Sequence, residues 1–230
     1  MMEEARAYDE LRAGFTAAVS HELRTPLARL LALLESAALP GVDRDELLAQ
    51  AREQVEEMSE LVDDVLFLSE LESGREVVAL GSTAALPVLE DVRDRLADSA
   101  ERADVTIRIE ADEDVELPLR RRMLQIVAEN LAENSIRYAG PGSTLTLSAR
   151  AGVLAAADDG RGVEEDELAR LFERFYRSDR ARASRGTGLG LAIVKHVVTA
   201  AGGEVEATGG PGHGLTVQCR FSMSAPSSVS

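Results

Sequence analysis

The stretch Phe15-Thr16-Ala17-Ala18-Val19-Ser20-His21-Glu22-Leu23-Arg24-Thr25-Pro26-Leu27 sits within a segment, from about residue 3 to residue 39, whose apolar residues recur at helical spacing. Such spacing places apolar side chains along one face of a helix. Pro26 removes one backbone hydrogen bond from that helix and predicts a kink. The stretch therefore predicts one long, kinked, amphipathic helix, which determines the architecture of the first half of the chain.

A second helix is predicted after a short turn. Pro40-Gly41 is a stop signal, and Asp43 followed by Glu46 is typical of a helix cap, so we expect a helix over residues 43–73. The apolar stripes of two such helices cannot all be buried against each other. Residues 1–73 should thus form an α helical hairpin that makes a homodimer, a four-helix bundle. A hairpin of this kind is more often a scaffold than a catalyst.

The rest of the chain has a mixed pattern. Residues 74–85 lose helical spacing and gain Gly, Ser and Thr, which predicts a connector before a second domain at 86–223. That domain is expected to contain helices over 87–103, 119–137 and 188–201, and strands over 105–110, 144–148, 153–157, 204–208 and 215–221. These elements describe an α/β two-layer sandwich with a mixed, mainly antiparallel sheet. The Ser-rich residues 224–230 are expected to be a disordered tail.

Composition restricts the classes of function. Lys and Arg total 25 against 41 Asp and Glu, and the net charge of −16 repels nucleic acid and anionic lipid, so neither is expected as a partner. A nucleotide would need local positive charge or a helix N-terminus. The single cysteine, Cys219, excludes an internal disulfide and a cysteine metal cluster.

The chain carries neither a long apolar run nor a signal peptide. No run of about 18 apolar residues occurs, so we expect a cytoplasmic chain that does not itself contact a membrane. Helical sequence begins almost directly after Met1. This start suggests truncation, and two alternatives stay open: a complete gene product, or the cytoplasmic part of a membrane-anchored protein.

His21 and its neighbours suit phosphoryl chemistry. A neutral imidazole is a competent phosphoryl acceptor, and a neighbouring carboxylate, Glu22, can hold one ring nitrogen so that the other faces a γ-phosphate. Thr25 lies one turn beyond Glu22, where its hydroxyl could orient a water molecule. The loosened helix at Pro26 would help the imidazole to reorient.

The run from Ser20 to Leu27 resembles the phosphoacceptor box of sensor histidine kinases at every position. The segment 129–138 resembles the asparagine box of that family, with Asn130 and Asn134 on one helix face. The resemblance implies that Asn134 ligates Mg²⁺, and that Asn130, Arg137 and Tyr138 belong to the same nucleotide site. A neutral oxygen ligand suits a cation that is already surrounded by phosphate.

Three further segments resemble the remaining nucleotide boxes, in the family's order. Asp158-Asp159-Gly160-Arg161-Gly162 resembles the first glycine box, where Asp158 would accept a hydrogen bond from the adenine amino group. Residues 171–177 resemble the aromatic box before the mobile lid. Gly186-Thr187-Gly188-Leu189-Gly190 supplies glycines whose backbone can approach phosphates before a helix. Each box alone is weak, but together they are strong.

The resemblance extends from about residue 7 to residue 221 and implies the ATP-binding sandwich shared with gyrase and Hsp90. It implies Mg-ATP-dependent autophosphorylation of His21, then phosphoryl transfer to an aspartate in the receiver domain of a response regulator, with phosphatase activity as a further expectation. The sequence departs from the family at Arg161, Ser135 and Ser184-Arg185. The predicted lid is rich in arginine, which supplies local positive charge: Arg170, Arg174, Arg177, Arg180, Arg182 and Arg185.

Two other classes of function remain open at the level of sequence. One is an ATP hydrolase or conformational clamp. Asn130 argues against it, because the related hydrolases carry a water-activating glutamate at that position. The other is a scaffold without kinase activity, or a regulator in which phosphatase activity through Glu22 and Thr25 dominates. His196 and His213 lack partners at catalytic spacing and are interpreted as structural.

Overall fold

The structure is a computed structural model that describes residues 2–73, 81–177 and 186–222, with side chains from residue 16 onward. The predicted tail at 224–230 and most of the predicted connector lie outside these residues. The chain divides into two compact units, residues 1–67 and 68–230.

The first unit consists of two long helices, α1 (Met2–Ala37) and α2 (Arg44–Glu72), and the last turn of α2 belongs to the second unit. The α1 helix continues through Pro26, and the kink expected there stays a prediction. Asp43 Oδ1 accepts the backbone N–H groups of Asp45 and Glu46 at 3.1 and 3.2 Å. The predicted cap is therefore confirmed, and it explains why α2 begins where it does.

Large apolar side chains remain exposed along both helices of the single chain. Leu27, Leu31 and Leu34 on α1 are 54%, 58% and 49% exposed. The α2 helix also exposes large apolar residues: Leu48, Val55, Val62 and Leu66. Such a stripe on a helical hairpin is the kind of surface that bundles bury between subunits.

The second unit is an α/β sandwich, as predicted. Its helices are α3 (Ala85–Ala103), α4 (Arg121–Tyr138) and α5 (Gly190–Ala200). Its five-stranded sheet consists, in spatial order, of β2 (Val105–Ala111), β4 (Ser143–Arg150), β5 (Val153–Asp158), β7 (Leu215–Arg220) and β6 (Glu204–Gly209). The β2 and β4 strands are parallel and the other neighbours antiparallel, so the mixed, mainly antiparallel sheet is confirmed.

One face of the sheet carries the core. Along β4, Leu145 and Leu147 are buried while Thr144 and Thr146 are half-exposed, which is the period-two pattern of a one-sided sheet. Helices α3, α4 and α5 bury their apolar stripes in the same core. Leu145 pairs with Asp158, so the carboxylate at the end of β5 shares the buried face.

Three short elements are absent from the sequence-based prediction. A two-residue strand, β1 (Thr83–Ala84), pairs with β3 (Glu116–Leu117), and β1 lies where the sequence predicts part of a connector. A 3-10 helix spans Glu165–Arg170. A two-residue strand is too short to establish a period, and a six-residue 3-10 helix spans too few turns to show helical spacing, so none of the three is predicted.

Candidate active site

His21 lies on the exposed surface of α1, where a ligand from solvent can reach its ring. Glu22 beside it is half-buried, and Thr25 is exposed, with its hydroxyl 3.5 Å from the His21 carbonyl oxygen. That contact spans one helical turn. It ties the Thr25 hydroxyl to the backbone of α1, and the role of Thr25 beside Glu22 stays a prediction.

On α4, Asn130 and Asn134 are both half-buried and lie one turn apart. Asn130 Nδ2 donates to the Ile126 carbonyl oxygen at 2.8 Å, which leaves Oδ1 directed away from its own helix. A Cβ atom added at Gly190 would lie 2.6 Å from that Oδ1 atom. The asparagine-bearing face of α4 is thus in direct contact with the first residue of α5, and only a glycine fits between them.

Gly186, the first glycine of the glycine-rich segment 186–190, lies against the end of α4. A Cβ atom at Gly186 would collide with the Arg137 guanidinium and would lie 3.1 Å from the Tyr138 hydroxyl. Gly186 has a φ of 134°, in the region that favours glycine. The structure therefore brings Arg137 and Tyr138 against the glycine-rich segment.

The backbone conformation of residues 187–189 explains why α5 begins later than predicted. Gly188 has a φ of 68°, and its carbonyl oxygen accepts the Phe175 N–H at 2.9 Å. Thr187 Oγ1 accepts the Leu189 N–H at 3.2 Å. The helix consequently begins at Gly190, two residues after the predicted start, and the loop in front of its N-terminus is held by polar contacts.

Asp158 is buried at the end of β5, with 8% of its surface exposed. Its Oδ1 atom accepts the N–H groups of Gly160 and Leu215 at 3.0 and 3.3 Å, and its Oδ2 atom accepts the Ser135 hydroxyl at 3.0 Å. Burial raises the pKa of the Asp158 carboxyl, while these hydrogen bonds act in the opposite direction. The result is a fixed acceptor inside the domain.

The glycines after Asp158 allow close approach of backbones. A Cβ atom at Gly160 would collide with the backbone of Ala139, which follows α4. Gly162 has a φ of 66°, and a Cβ atom there would collide with the Gly210 carbonyl oxygen. Both glycines are therefore required by packing, and the packing holds Asp158 beside the end of α4.

The aromatic box contacts the glycine-rich segment at Gly188. The Tyr176 hydroxyl donates to Glu167 Oε1 at 3.0 Å, and the Arg170 guanidinium stacks over the Tyr176 ring at 4.2 Å. Phe175 adopts a φ of 61°, which is unusual for a bulky residue. Arg180, Arg182 and Ser184-Arg185 lie outside the described residues.

The glutamate next to Asn130 is paired with an arginine of another helix. Glu129 forms an ion pair with Arg95 of α3. Among the described residues, no group of three or more His, Cys, Asp or Glu side chains could hold a metal ion. A cation beside Asn134 would therefore take most of its ligands from phosphate oxygens and water, which is the usual coordination of Mg²⁺.

An open cleft of about 430 Å³ lies next to this region. Its walls are the loop after α4 and the first glycine box: Ala139, Gly140, Pro141, Gly142, Ser143, Asp159, Gly160 and Arg161. The lining does not include Asp158 or the two asparagines. We therefore assign the candidate site by the side chains that converge on α4 and not by this cleft.

Sequence reasoning missed the partners of Asp158. Ser135 stood out only as a departure from the family, and nothing pointed to Leu215, because its contribution is a backbone N–H. Both residues lie far from Asp158 in sequence. Only the pairing of β5 with β7, together with the packing of α4 on the sheet, brings them to it.

Two family models match the chain. The model described as His Kinase A (phospho-acceptor) domain matches residues 11–74, which include His21. The model described as Histidine kinase-, DNA gyrase B-, and HSP90-like ATPase matches residues 119–225, which include both asparagines and Asp158.

Individual proteins are similar over most of the chain. The sensor-like histidine kinase SenX3 of Mycobacterium tuberculosis is 32% identical over 228 residues, covering 95% of this chain and 54% of SenX3. The solved structure of the Acinetobacter baumannii histidine kinase AdeS gives a TM-score of 0.73 at 26% identity, covering 88% of this chain and 98% of that one. This chain thus spans about half the length of SenX3.

A third similarity shows the fold alone. Histidine kinase ThkA, solved in complex with the response regulator protein TrrA, gives a TM-score of 0.74 at 18% identity. The match covers 94% of this chain and 63% of that chain. In a separate observation, no helix among the described residues has the length and apolar content needed to cross a lipid bilayer.

Proposed function

This chain belongs to the sensor histidine kinases, and from that premise we propose that it binds Mg-ATP, phosphorylates its own His21 and transfers the phosphoryl group to an aspartate of a response regulator. The observation that supports this most strongly is the contact of Gly186 and Gly190 with one face of α4. A glycine-rich backbone, a helix N-terminus and polar side chains meet there, and this is the chemistry that a triphosphate requires.

Nucleotide binding is assigned to residues of the second unit. Asp158 would accept a hydrogen bond from the 6-amino group of adenine, since it is an ionisable acceptor held by backbone N–H groups. Arg137, Thr187, Gly188 and Leu189 would meet the phosphates. The charge of Arg137 and the backbone N–H groups of the loop answer the need for a local anion site in a chain whose net charge is −16.

Asn134 is the proposed protein ligand of Mg²⁺, with Asn130 beside it on the same helix face. When bound, the ion would neutralise charge on the phosphate oxygens. The role of α4 is to hold the two amide side chains at a fixed spacing. Asn130 is oriented by its hydrogen bond to the Ile126 carbonyl oxygen, so its Oδ1 atom is available to the site.

Phosphorylation would take place at the exposed imidazole of His21. An unprotonated ring nitrogen forms the new N–P bond while the bond from the γ-phosphorus to the bridging oxygen breaks, and that oxygen leaves on ADP with the electron pair. The other ring nitrogen carries the proton, and Glu22, the next residue in the chain, would accept it. An aspartate oxygen of the receiver domain then displaces the nitrogen from phosphorus.

Glu22 and Thr25 would also support the reverse activity. Thr25 lies one turn from Glu22 on the exposed side of α1, where its hydroxyl can orient water towards an aspartyl phosphate of the partner. We propose this phosphatase activity as an additional property of the same surface. Loss of partner phosphate without ATP consumption would measure it, and Thr25→Ala should reduce that loss.

The remaining proposals concern organisation. Residues 1–73 would be the dimerisation and phosphotransfer domain, 74–85 the connector, 86–223 the ATP-binding domain and 224–230 the tail. The exposed leucines of α1 support a homodimer, since they would be buried in a four-helix bundle. Because ATP and receiver domains are cytoplasmic, the chain would act in the cytoplasm, as the cytoplasmic part of a membrane-anchored sensor.

The proposal is tested by incubating the chain with γ-labelled ATP and Mg²⁺. We expect an acid-labile, alkali-stable label on the wild type and none on His21→Gln, because the label is a phosphoramidate. A matched control is His213→Gln, since His213 is exposed on a turn and has no assigned catalytic or binding role. Label that persists in His21→Gln would refute the assignment of His21.

A second variant tests the metal ligand. Asn134→Ala should abolish labelling while the helical content and the dimer persist, since the side chain is half-buried on a helix surface. Loss of the dimer in this variant would instead show that Asn134 is structural. Steady release of inorganic phosphate from ATP, without any phosphoprotein, would favour the hydrolase alternative.

A further inference from the structure

The hydrogen bond of the Ser135 hydroxyl is unusual for a serine inside a helix. Serines in helices commonly donate to the carbonyl oxygen four residues earlier. Ser20 and Ser36 of α1 do this, with distances of 2.8 and 2.7 Å to Thr16 and Ala32. Ser135 of α4 donates to Asp158 Oδ2 at 3.0 Å, across the interface between helix and sheet.

The contact is buried at both ends. Ser135 is 4% exposed and Asp158 is 8% exposed. A hydrogen bond inside a protein is less weakened by water than one at the surface, and losing one partner of a buried pair leaves the other unsatisfied. The Ser135 hydroxyl therefore has a larger effect on this carboxylate than an exposed hydroxyl would.

The hydrogen bonds of Asp158 leave one acceptor position for a ligand. A carboxylate offers about four lone-pair positions. Gly160 and Leu215 take the two of Oδ1, and Ser135 takes one of Oδ2. Because all three partners are donors, they favour the ionised carboxylate and fix the direction of the remaining lone pair on Oδ2.

We propose that Ser135 is a positioning residue that directs the free lone pair of Asp158 Oδ2 at the 6-amino group of adenine, and that it thereby contributes to selection of the base. This inference rests on the proposed function, in which Asp158 reads the base. Ser135 itself acts through Asp158 and not through contact with the nucleotide. Its effect is therefore restricted to nucleotides that carry the amino group, whereas a packing role would affect all nucleotides alike.

The experiment measures binding of two Mg-nucleotides to the full 230-residue chain by isothermal titration calorimetry. One is ATP, and the other is purine riboside triphosphate, which lacks the 6-amino group. The variant is Ser135→Ala, which suits a helix. The matched control is Ser143→Ala, because Ser143 is also a buried serine but donates to the Gly140 carbonyl oxygen at 2.6 Å and does not contact Asp158.

We expect Ser135→Ala to weaken ATP binding about tenfold, because the misdirected carboxylate of Asp158 loses most of its hydrogen bond with the adenine amino group. The affinity for the amino-free analogue should change by less than about twofold. Ser143→Ala should not discriminate between the two nucleotides. The loss of ATP affinity on acidification should also begin at a higher pH in Ser135→Ala, because the carboxylate has lost a donor that favours its ionised form.

If Ser135→Ala lowers the affinity for both nucleotides equally, the proposal is overturned and Ser135 is a packing residue. No change in either affinity would overturn it as well. If the wild type itself binds both nucleotides equally, then Asp158 does not read the amino group, and the failure lies in the proposed function. The two failures are therefore distinguishable.

Discussion

Gly190→Ala tests the contact between α4 and α5, because we expect it to change labelling activity strongly and folding stability only slightly. In wild type, a Cβ atom at residue 190 would lie 2.6 Å from Asn130 Oδ1, about 0.8 Å closer than the 3.4 Å at which ordinary contact begins. Asn130 cannot simply rotate away, because its Nδ2 atom donates to Ile126 at 2.8 Å. The alanine must therefore displace the Asn130 side chain, move the start of α5, or do both.

The expected change in folding stability is small. Replacing glycine by alanine in the interior of a helix gains about 1 kcal/mol, and the gain is smaller at Gly190, the first residue of α5. Loss of the hydrogen bond between Asn130 and Ile126 costs about 1 kcal/mol. Because the two terms oppose each other, we expect the free energy of unfolding in urea to change by less than about 1 kcal/mol.

The expected change in activity is large. A displacement of roughly 1 Å at residues that position a triphosphate is enough to cost about 100-fold in rate. Labelling with γ-labelled ATP should therefore fall at least about tenfold in Gly190→Ala. The matched control is Gly210→Ala, because a Cβ atom there would meet nothing within 4 Å. Wild-type labelling in Gly190→Ala would disprove the role of this contact.

Three further predictions address other parts of the chain. Leu31→Glu places a charge on a residue that is 58% exposed in the single chain, so the helices should keep their CD signal. Light scattering should show loss of the dimer, and a persistent dimer would contradict the assigned interface. Asp104 follows α3 in the left-handed conformation, with φ 55° and ψ 47°, which favours glycine. In urea, Asp104→Gly should therefore raise the free energy of unfolding by about 0.5 kcal/mol, and Asp104→Ala should lower it. Burial raises the pKa of the Cys219 thiol to about 12, so it should react with thiol reagents at pH 8 only after denaturation. Because the folded pKa exceeds the unfolded value of about 8.5, that thiol's contribution to stability is complete below about pH 8.5 and is lost as the pH rises towards 12.

Local sequence patterns predicted most of the helices and strands because they carry a clear period. Residues 105–111 and 143–150 alternate in burial, and the helices bury one stripe each. The strands expected over 144–148 and 153–157 are observed as β4 and β5, which flank a turn at Ala151-Gly152 and pair with each other. The cap at Asp43 was also predicted from spacing alone.

Long-range contacts could not be predicted in the same way. The pairing of Thr83–Ala84 with Glu116–Leu117 joins two segments without any period. The contact between Ser135 and Asp158 depends on how α4 packs on the sheet, and the contact between Gly190 and Asn130 depends on how α5 packs on α4. Motifs predicted that these residues belong to one site, but only tertiary packing determines which atoms meet.

The chemical location of the transferred phosphoryl group decides whether His21 is the acceptor. Trypsin should release residues 13–24 as one peptide, which contains His21 together with two hydroxyl residues, Thr16 and Ser20. After incubation with Mg-ATP, mass spectrometry at alkaline pH should find one phosphoryl group on His21, and brief acid treatment should remove it. An acid-stable phosphoryl group on Ser20 or Thr16, or an unmodified peptide, would contradict autophosphorylation of this histidine.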